Sequence, residues 1–374
     1  MPSLNKDELG FLRRALRLAQ KGRWRTSPNP QVGAVVVRGG EVVGEGWHRA
    51  VGGPHAEVEA FRAAGDRSRG ATLYVSLEPC AHFGRTPPCA DATIAAGITR
   101  VVACHRDPDP RVAGGGFARL QEAGIAVEHG FLVEQAVRLN WRFLCAAVYK
   151  RPAVTLKWAM SLDGKIATAA GDSQWISSPE GRRWALELRE EHDAILIGSG
   201  TALADDPRLD RRLGLAGRPN VRVVLDRRLR LPPTARLFDL PGAILVYTSP
   251  ASEGTRAAAL RQRGAEVVVL PEVVPEAVLA DLYRRGLRSV LVEGGAEVAA
   301  AFSSAGLFDQ VAALCAPLLI GGREAKSPLG GSSFEPLAAA PRLTGTRVET
   351  KGVDAVLTAF RASCLPDLYA SVAD

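Results

Sequence analysis

Pro54-His55-Ala56-Glu57, read with Leu77-Glu78-Pro79-Cys80 and Pro87-Pro88-Cys89, is the stretch around which the rest of the chain is organised. One imidazole and two thiols make a nitrogen and sulfur donor set of the kind zinc takes, and three protein ligands leave a fourth tetrahedral position for water. A closed structural site would want a fourth protein ligand, and His82 is the residue that could supply it. Glu57 stands two residues after His55, where a carboxylate can carry protons to and from a reacting water. The expected set is therefore one zinc per chain on His55, Cys80 and Cys89, with Glu57 as the catalytic acid–base group.

Working outward, apolar residues at helical spacing over 7–21 predict an amphipathic helix stopped by Gly22. Residues 32–38 and 41–47 are β-branched runs joined at Gly39-Gly40, a hairpin signal. A helix over 55–64, a strand over 72–77 and a helix over 90–96 follow. This places His55, Glu57 and Cys89 in or beside first helical turns, where the electropositive helix end stabilises a thiolate. Residues 101–104, 117–123 and 126–129 add strand, helix and strand, and an α/β/α sandwich is the expected first domain.

The alternation starts afresh after the stretch 139–152, and the chain is expected to divide near Ala146 into domains 1–146 and 147–374. Short apolar strands at 153–159, 194–197, 221–226, 243–248, 266–270 and 289–292 alternate with helices at 179–191, 252–263, 275–285 and 296–305, the pattern of a mostly parallel, doubly wound sheet. Glycine turns at 197–201, 291–295 and 321–323 fall where strand ends meet loops, the usual ligand edge of such sheets. The fingerprint G-x-G-x-x-G is missing, so a nicotinamide cofactor would not sit on a standard Rossmann fold. After Pro336 only 344–348 and 355–361 read as strands.

The 374 residues carry a formal charge of +7, with 47% hydrophobic and 23% charged residues, enough for two or three domains. The charge suits a phosphorylated small molecule, while basic stripes with interleaved aromatics, which long nucleic acids favour, are missing. No apolar run approaches a membrane span and the N-terminus lacks a signal core, so a cytoplasmic protein without a membrane partner is expected. Cys104, Cys145, Cys315 and Cys364 lie in apolar contexts and read as core residues.

The zinc-deaminase signature H-x-E followed by P-C-x-x-C fits here only in its first half, because eight residues separate the two cysteines. The run Glu78-Pro79-Cys80-Ala81-His82-Phe83-Gly84-Arg85-Thr86-Pro87-Pro88-Cys89 resembles the deaminase domain of the bifunctional riboflavin-biosynthesis deaminase/reductase family, as does Asn29-Pro30-Gln31-Val32-Gly33 upstream. Residues 157–167, 172–178, 200–207 and 292–295 are similar to its reductase half. The resemblance implies an α/β chain, a cytidine-deaminase-like sandwich followed by a dihydrofolate-reductase-like domain that uses NADPH. It implies that Asn29 and His48 contact a pyrimidine, the alternative being turn residues that bond their own loops.

For the reductase, the resemblance implies that Ala159, Trp175, Thr201, Asp205 and the turn Gly294-Gly295 line the cofactor, and that Ser173, Arg189, Leu209, Arg212 and Glu293 hold the ribose-phosphate substrate. Arg227 stands at a cofactor position where the family often has a small hydroxyl residue. Lys157 and Glu293 are expected to orient the opening sugar, with Lys157 catalytic, the alternative being a structural ion pair across the sheet edge. Family analogy implies a homo-oligomer, a dimer. Two rival functions are an RNA-editing-type zinc deaminase and a zinc-stabilised nucleotide-binding protein.

Overall fold

Successive residues of the strand Gly33–Arg38 face opposite layers: Ala34 and Val36 join one buried cluster, Val35 and Val37 another. This period of two, buried on both sides, requires a helical layer on each face. The structure, a computed structural model, describes residues 4–81, 87–109, 114–252 and 254–373, so His82 lies outside the described residues. The chain separates into two units, Met1–Lys150 with Leu365–Asp374, and Arg151–Cys364.

The first unit runs α1 (Lys6–Gln20), β1 (Gly33–Arg38), β2 (Glu41–Trp47), α2 (Ala56–Ala64), β3 (Thr72–Val75), α3 (Cys89–Ala95), β4 (Arg100–Ala103), α4 (Gly115–Glu122), β5 (Ala126–Glu128) and α5 (Val133–Tyr149). Its sheet has the order β2-β1-β3-β4-β5, with β1 antiparallel to both neighbours and β3, β4 and β5 parallel. Ala56, Ala60, Ala90, Phe117 and Leu120 cover one face, and Leu12, Leu16 and Ala136 the other. Gly44 and Gly46 let α2 lie directly on β2, since a Cβ there would meet the carbonyl oxygens of Ala60 and Ala56 at 2.2 Å. The His55–Glu57 end of α2 is thereby held down on the sheet.

Helix α5 was not anticipated, and the expected boundary at Ala146 falls inside it. Its apolar residues are at helical spacing, but Asn140 breaks the helical geometry at φ −107°, ψ 16°, and its side chain ties to Gln31, donating to the carbonyl and accepting from the amide.

The second unit contains β6 (Ala153–Ser161), α6 (Pro179–Glu191), β7 (Ala194–Gly198), α7 (Ser199–Asp205), β8 (Val221–Leu225), β9 (Ile244–Thr248), α8 (Thr255–Gln262), β10 (Ala265–Val269), α9 (Pro275–Arg284), β11 (Ser289–Glu293), α10 (Ala296–Ser304), β12 (Gln310–Ala316), β13 (Leu343–Lys351) and β14 (Asp354–Arg361); α11 (Cys364–Val372) lies mostly in the first unit. The sheet order is β10-β9-β8-β7-β11-β6-β12-β14-β13. Strands β10 through β12 are parallel, and β14 and β13 close the sheet antiparallel. Continuous apolar runs such as Ala194–Gly198 and Ile244–Thr248 are buried at every residue, as strands covered on both faces must be. Strand β12 escaped the sequence reading because its Gln-Val-Ala-Ala-Leu-Cys-Ala run is rich in alanine, a weak strand former; burial between β6 and β14 decides its conformation. Among the described residues no helix is long and apolar enough to cross a membrane.

Candidate active sites

In the first unit, His55 caps α2 and Cys89 opens α3, while Cys80 sits in the loop after β3. The imidazole Nδ1 of His55 is 3.0 Å from Cys89 Sγ and 3.6 Å from Cys80 Sγ, and the Cys89 amide donates to Cys80 Sγ at 3.4 Å. All three donor atoms lie within 4.8 Å of one another, and among the described residues this group numbers three. Two sulfurs and one nitrogen converging without a carboxylate suit zinc, and they leave a coordination position over.

The electrostatics agree with an anion-rich centre. Cys80 is held down at about 4, first by its hydrogen bond with Cys89 and further by His55, while that same bond and burial push Cys89 up. His55 is raised, chiefly by its bond to Cys80. Glu57 is 3% exposed, and burial pushes its carboxyl above the usual range. Asn29 Nδ2 lies 3.2 Å from His48 Nε2, His48 Nδ1 lies 3.0 Å from the Pro54 carbonyl, and the His48 and His55 rings meet edge-on at 5.4 Å. The structure thus gathers Asn29 and His48 beside the metal-type ligands.

Glu78 is the residue the sequence reading missed. Its buried carboxylate accepts four backbone N–H groups, from Asp107 and Gly114 at 3.0 Å on one oxygen and from Gly116 at 2.9 Å and Phe117 at 3.1 Å on the other. Gly116 packs so tightly that a Cβ would fall 1.8 Å from the Pro79 carbonyl oxygen. The segment leading into α4 is therefore clamped to the loop that carries Cys80.

In the second unit, Lys157 on β6 and Glu293 at the end of β11 are register partners on adjacent strands. Glu293 is buried and takes Arg189 of α6 in a fork, Nε to Oε1 at 2.8 Å and Nη2 to Oε2 at 2.6 Å. Burial pushes the Glu293 carboxyl up, but Arg189 and then Lys157 outweigh it and hold the group at about 2. Burial likewise lowers Lys157, with Glu293 opposing. Arg189 also reaches the Asp210 carbonyl at 3.5 Å, and the Asp210 carboxylate accepts from the exposed Arg212 at 2.7 Å. Leu209 itself is buried at φ 51° and its carbonyl accepts from Asn220.

Thr201 lies directly under the turn Gly294-Gly295, where a Cβ would come within 2.9 Å and 3.1 Å of its side chain. Both glycines have positive φ, 88° and 77°, which favours glycine, and the bare backbone forms a cradle a phosphate can approach. Ala159 lies further along β6, half-buried, and Asp205 ends α7 with its carboxyl raised by burial against the opposing charge of Lys326. Trp175 is 70% exposed and stacks on Arg182 at 4.6 Å; among the described residues no hydrogen bond or ion pair joins Ser173 or Trp175 to the Lys157 group. Arg227 turns its guanidinium to the Val273 carbonyl at 3.2 Å, while its own carbonyl accepts from Thr248, Ser249 and Ser252.

Residues 5–105 match the model of the cytidine and deoxycytidylate deaminase zinc-binding region, and residues 152–357 match that of the RibD C-terminal domain. The riboflavin biosynthesis protein RibD of Bacillus amyloliquefaciens is 44% identical over 354 residues, covering 94% of this chain and 95% of that protein. The chain belongs to the RibD family. RibD of Escherichia coli is 41% identical over 363 residues, covering 93% and 97% of the two chains. The solved structure of Acinetobacter baumannii RibD superposes with a TM-score of 0.87 at 37% identity, covering 96% of this chain and 99% of that one. A Thermotoga maritima protein described as a diaminohydroxyphosphoribosylaminopyrimidine deaminase/5-amino-6-(5-phosphoribosylamino)uracil reductase gives 0.84 at 38%, covering 95% and 99%. As a RibD-family member the chain is a bifunctional deaminase and reductase of riboflavin biosynthesis, with zinc and NADPH as its cofactors. Similarity over nearly the full length of two-activity enzymes displaces the RNA-editing and nucleotide-sensing readings.

Proposed function

We propose that the first unit hydrolyses the 2-amino group of 2,5-diamino-6-ribosylamino-4(3H)-pyrimidinone 5′-phosphate and that the second reduces the ribosyl chain of the product to ribityl. The convergence of His55, Cys80 and Cys89 beside the buried Glu57 carries the first assignment. Zinc would be held by these three residues and would supply a water whose pKa is lowered toward ~7. Glu57 then takes a proton from the attacking water and hands it to the departing amine, a role that fits a buried carboxyl which readily holds a proton. Asn29 and His48, already bonded to each other, orient the pyrimidine edge.

In the second unit NADPH supplies the hydride, and the chain's residues supply position. Arg189 fixes the Glu293 carboxylate through two hydrogen bonds, so the remaining lone pairs are aimed rather than free to rotate. Lys157, on the neighbouring strand, faces the same carboxylate. The pair orients the hydroxyls of the opened sugar, and Lys157, by donating a hydrogen bond from its ammonium to the imine nitrogen, makes the imine carbon a better hydride acceptor. Arg189, Leu209 and Arg212 shape the ribose-phosphate side, Asp205 holds the cofactor-side loop, and Gly294-Gly295 over Thr201 takes the cofactor phosphates.

Mass spectrometry of the diaminopyrimidine phosphate after incubation, with and without NADPH, tests both halves. Deamination alone is expected without NADPH, and deamination plus gain of two hydrogens with it. Lys157→Met is expected to abolish reduction of the purified intermediate while deamination continues; an unchanged single-turnover rate removes Lys157 from the reaction.

The working form is a homodimer in the cytoplasm, where NADPH and phosphorylated intermediates are available. Strand β13 supports the oligomer: among the described residues it pairs with β14 alone and exposes Val348 at 64% and Leu343 at 43% on a sheet edge, a surface that invites pairing with a second copy. Light scattering on Val348→Lys, expected monomeric against a dimeric parent, tests that reading.

A further inference from the structure

The end of β8 carries Asp226-Arg227-Arg228-Leu229-Arg230, and the turn sorts these side chains sharply. Leu229 adopts φ 47°, a left-handed backbone uncommon outside glycine, and is buried at 1% in the cluster with Ile197, Val224 and Leu260. Sinking Leu229 leaves Arg227, Arg228 and Arg230 exposed. The Arg227 guanidinium is already engaged by the Val273 carbonyl. Arg230 instead reaches back to the cofactor cradle, its Nη2 donating to Ser199 Oγ at 2.6 Å. Ser199 opens the turn Ser199-Gly200-Thr201, and Thr201 is the side chain under Gly294-Gly295.

Arg230 also borders a cleft of about 300 Å³, lined with Leu231, Pro232, Pro233, Ala259 and a second arginine, Arg256. Its proline and aliphatic lining suits a flat heteroaromatic ring, and its two arginines suit an anion. Among the described residues Arg256 has no ion-pair partner, and the one carboxylate near Arg230, besides its bond to Ser199, is Asp226 at 4.0 Å, whose Oδ1 is buried without a hydrogen bond. Contacts thus link the glycine cradle to Thr201, the turn Ser199-Gly200-Thr201 to Arg230, and Arg230 to the cleft.

We propose that this cleft takes the adenosine end of the dinucleotide and that Arg230 and Arg256 bind its 2′-phosphate, making them the residues that select NADPH over NADH. The inference rests on the reductase reading above and adds to it the part of the chain that reads the extra phosphate. NADPH and NADH differ only by that phosphate, so a residue that contacts it changes one affinity and leaves the other.

The test is equilibrium binding to the full chain of NADPH, NADH and adenosine 2′,5′-bisphosphate, which carries the distinguishing phosphate without nicotinamide. The parent is expected to bind the bisphosphate in competition with NADPH. Arg230→Gln and Arg256→Gln are each expected to weaken NADPH and the bisphosphate ~10–100-fold, the size of a charged hydrogen-bonded contact, and to leave NADH within about twofold. Arg230→Lys should recover part of the loss. Thermal unfolding and the deamination rate report that each variant is folded. Variants that are folded and keep the parent's NADPH-to-NADH ratio overturn the inference while the reductase reading stands. A parent that binds neither dinucleotide overturns both.

Discussion

Arg189 and Glu293 meet in a two-bond fork, at 2.8 and 2.6 Å, on the ligand edge of the second unit, with Lys157 beside Glu293 in strand register. The ion pair anticipated as an alternative role for Lys157 is thus filled by Arg189, which leaves Lys157 facing an already fixed carboxylate. Removing one member of a buried pair leaves the other charge uncompensated, at a cost of ~3–5 kcal/mol. Glu293→Gln is expected to lose reduction and to unfold the second unit at lower urea, while Glu293→Leu combined with Arg189→Met regains most of the stability and none of the activity. The folded carboxyl is held at about 2 against an ordinary 4.5, so the pair's contribution is full above pH ~4.5 and lost as pH falls toward 2. Acid unfolding of parent and double variant, followed by tryptophan fluorescence, should differ in that window.

The metal site gives a second expectation. His55→Ala, Cys80→Ala and Cys89→Ala should each lose zinc and deamination together, because three donors within 4.8 Å leave no redundancy. Elemental analysis of the purified variants measures the metal directly. Full zinc retention in both cysteine variants removes the assignment, and reduction of the deaminated intermediate should continue in all three.

Glu57 separates from its neighbours by keeping the metal. Glu57→Gln preserves shape and should retain zinc, yet deamination should fall ~10²–10⁴-fold, the usual contribution of a positioned proton carrier. Near-parent turnover in the zinc-loaded variant rules the role out.

These residues differ in how far the sequence reveals them. His55, Glu57, Cys80 and Cys89 were legible because they occur together in glycine- and proline-rich turns, two of which open helices α2 and α3. Most strands of the second unit were legible as short β-branched runs, whereas β12 was not, because its alanines take their conformation from neighbours on both sides. Helix α5 was hidden by the asparagine whose partner lies 109 residues away. Arg189 and Glu293 were named singly from resemblance, but their union across 104 residues is a product of the sheet order.

Glu78 illustrates the same limit and gives the last expectation. The chain shows a glutamate before Pro79-Cys80, but its four N–H partners lie 29 to 39 residues further on. The three successive glycines Gly114-Gly115-Gly116 are the one local sign that backbone rather than side chain approaches something there. Each carboxylate oxygen accepts two N–H groups, so Glu78→Gln must turn an amide NH₂ toward two donors. Leaving buried donors unpaired costs ~1–3 kcal/mol each, and the first unit should lose a corresponding part of its stability in urea. Because the clamp holds the loop bearing Cys80, zinc affinity should fall with it, while Glu78→Asp, which keeps the charge but shortens the reach, should fall between the two. A chelator competition titration on folded Glu78→Gln decides the matter: parent-like zinc affinity would confine Glu78 to stability and detach it from the metal loop.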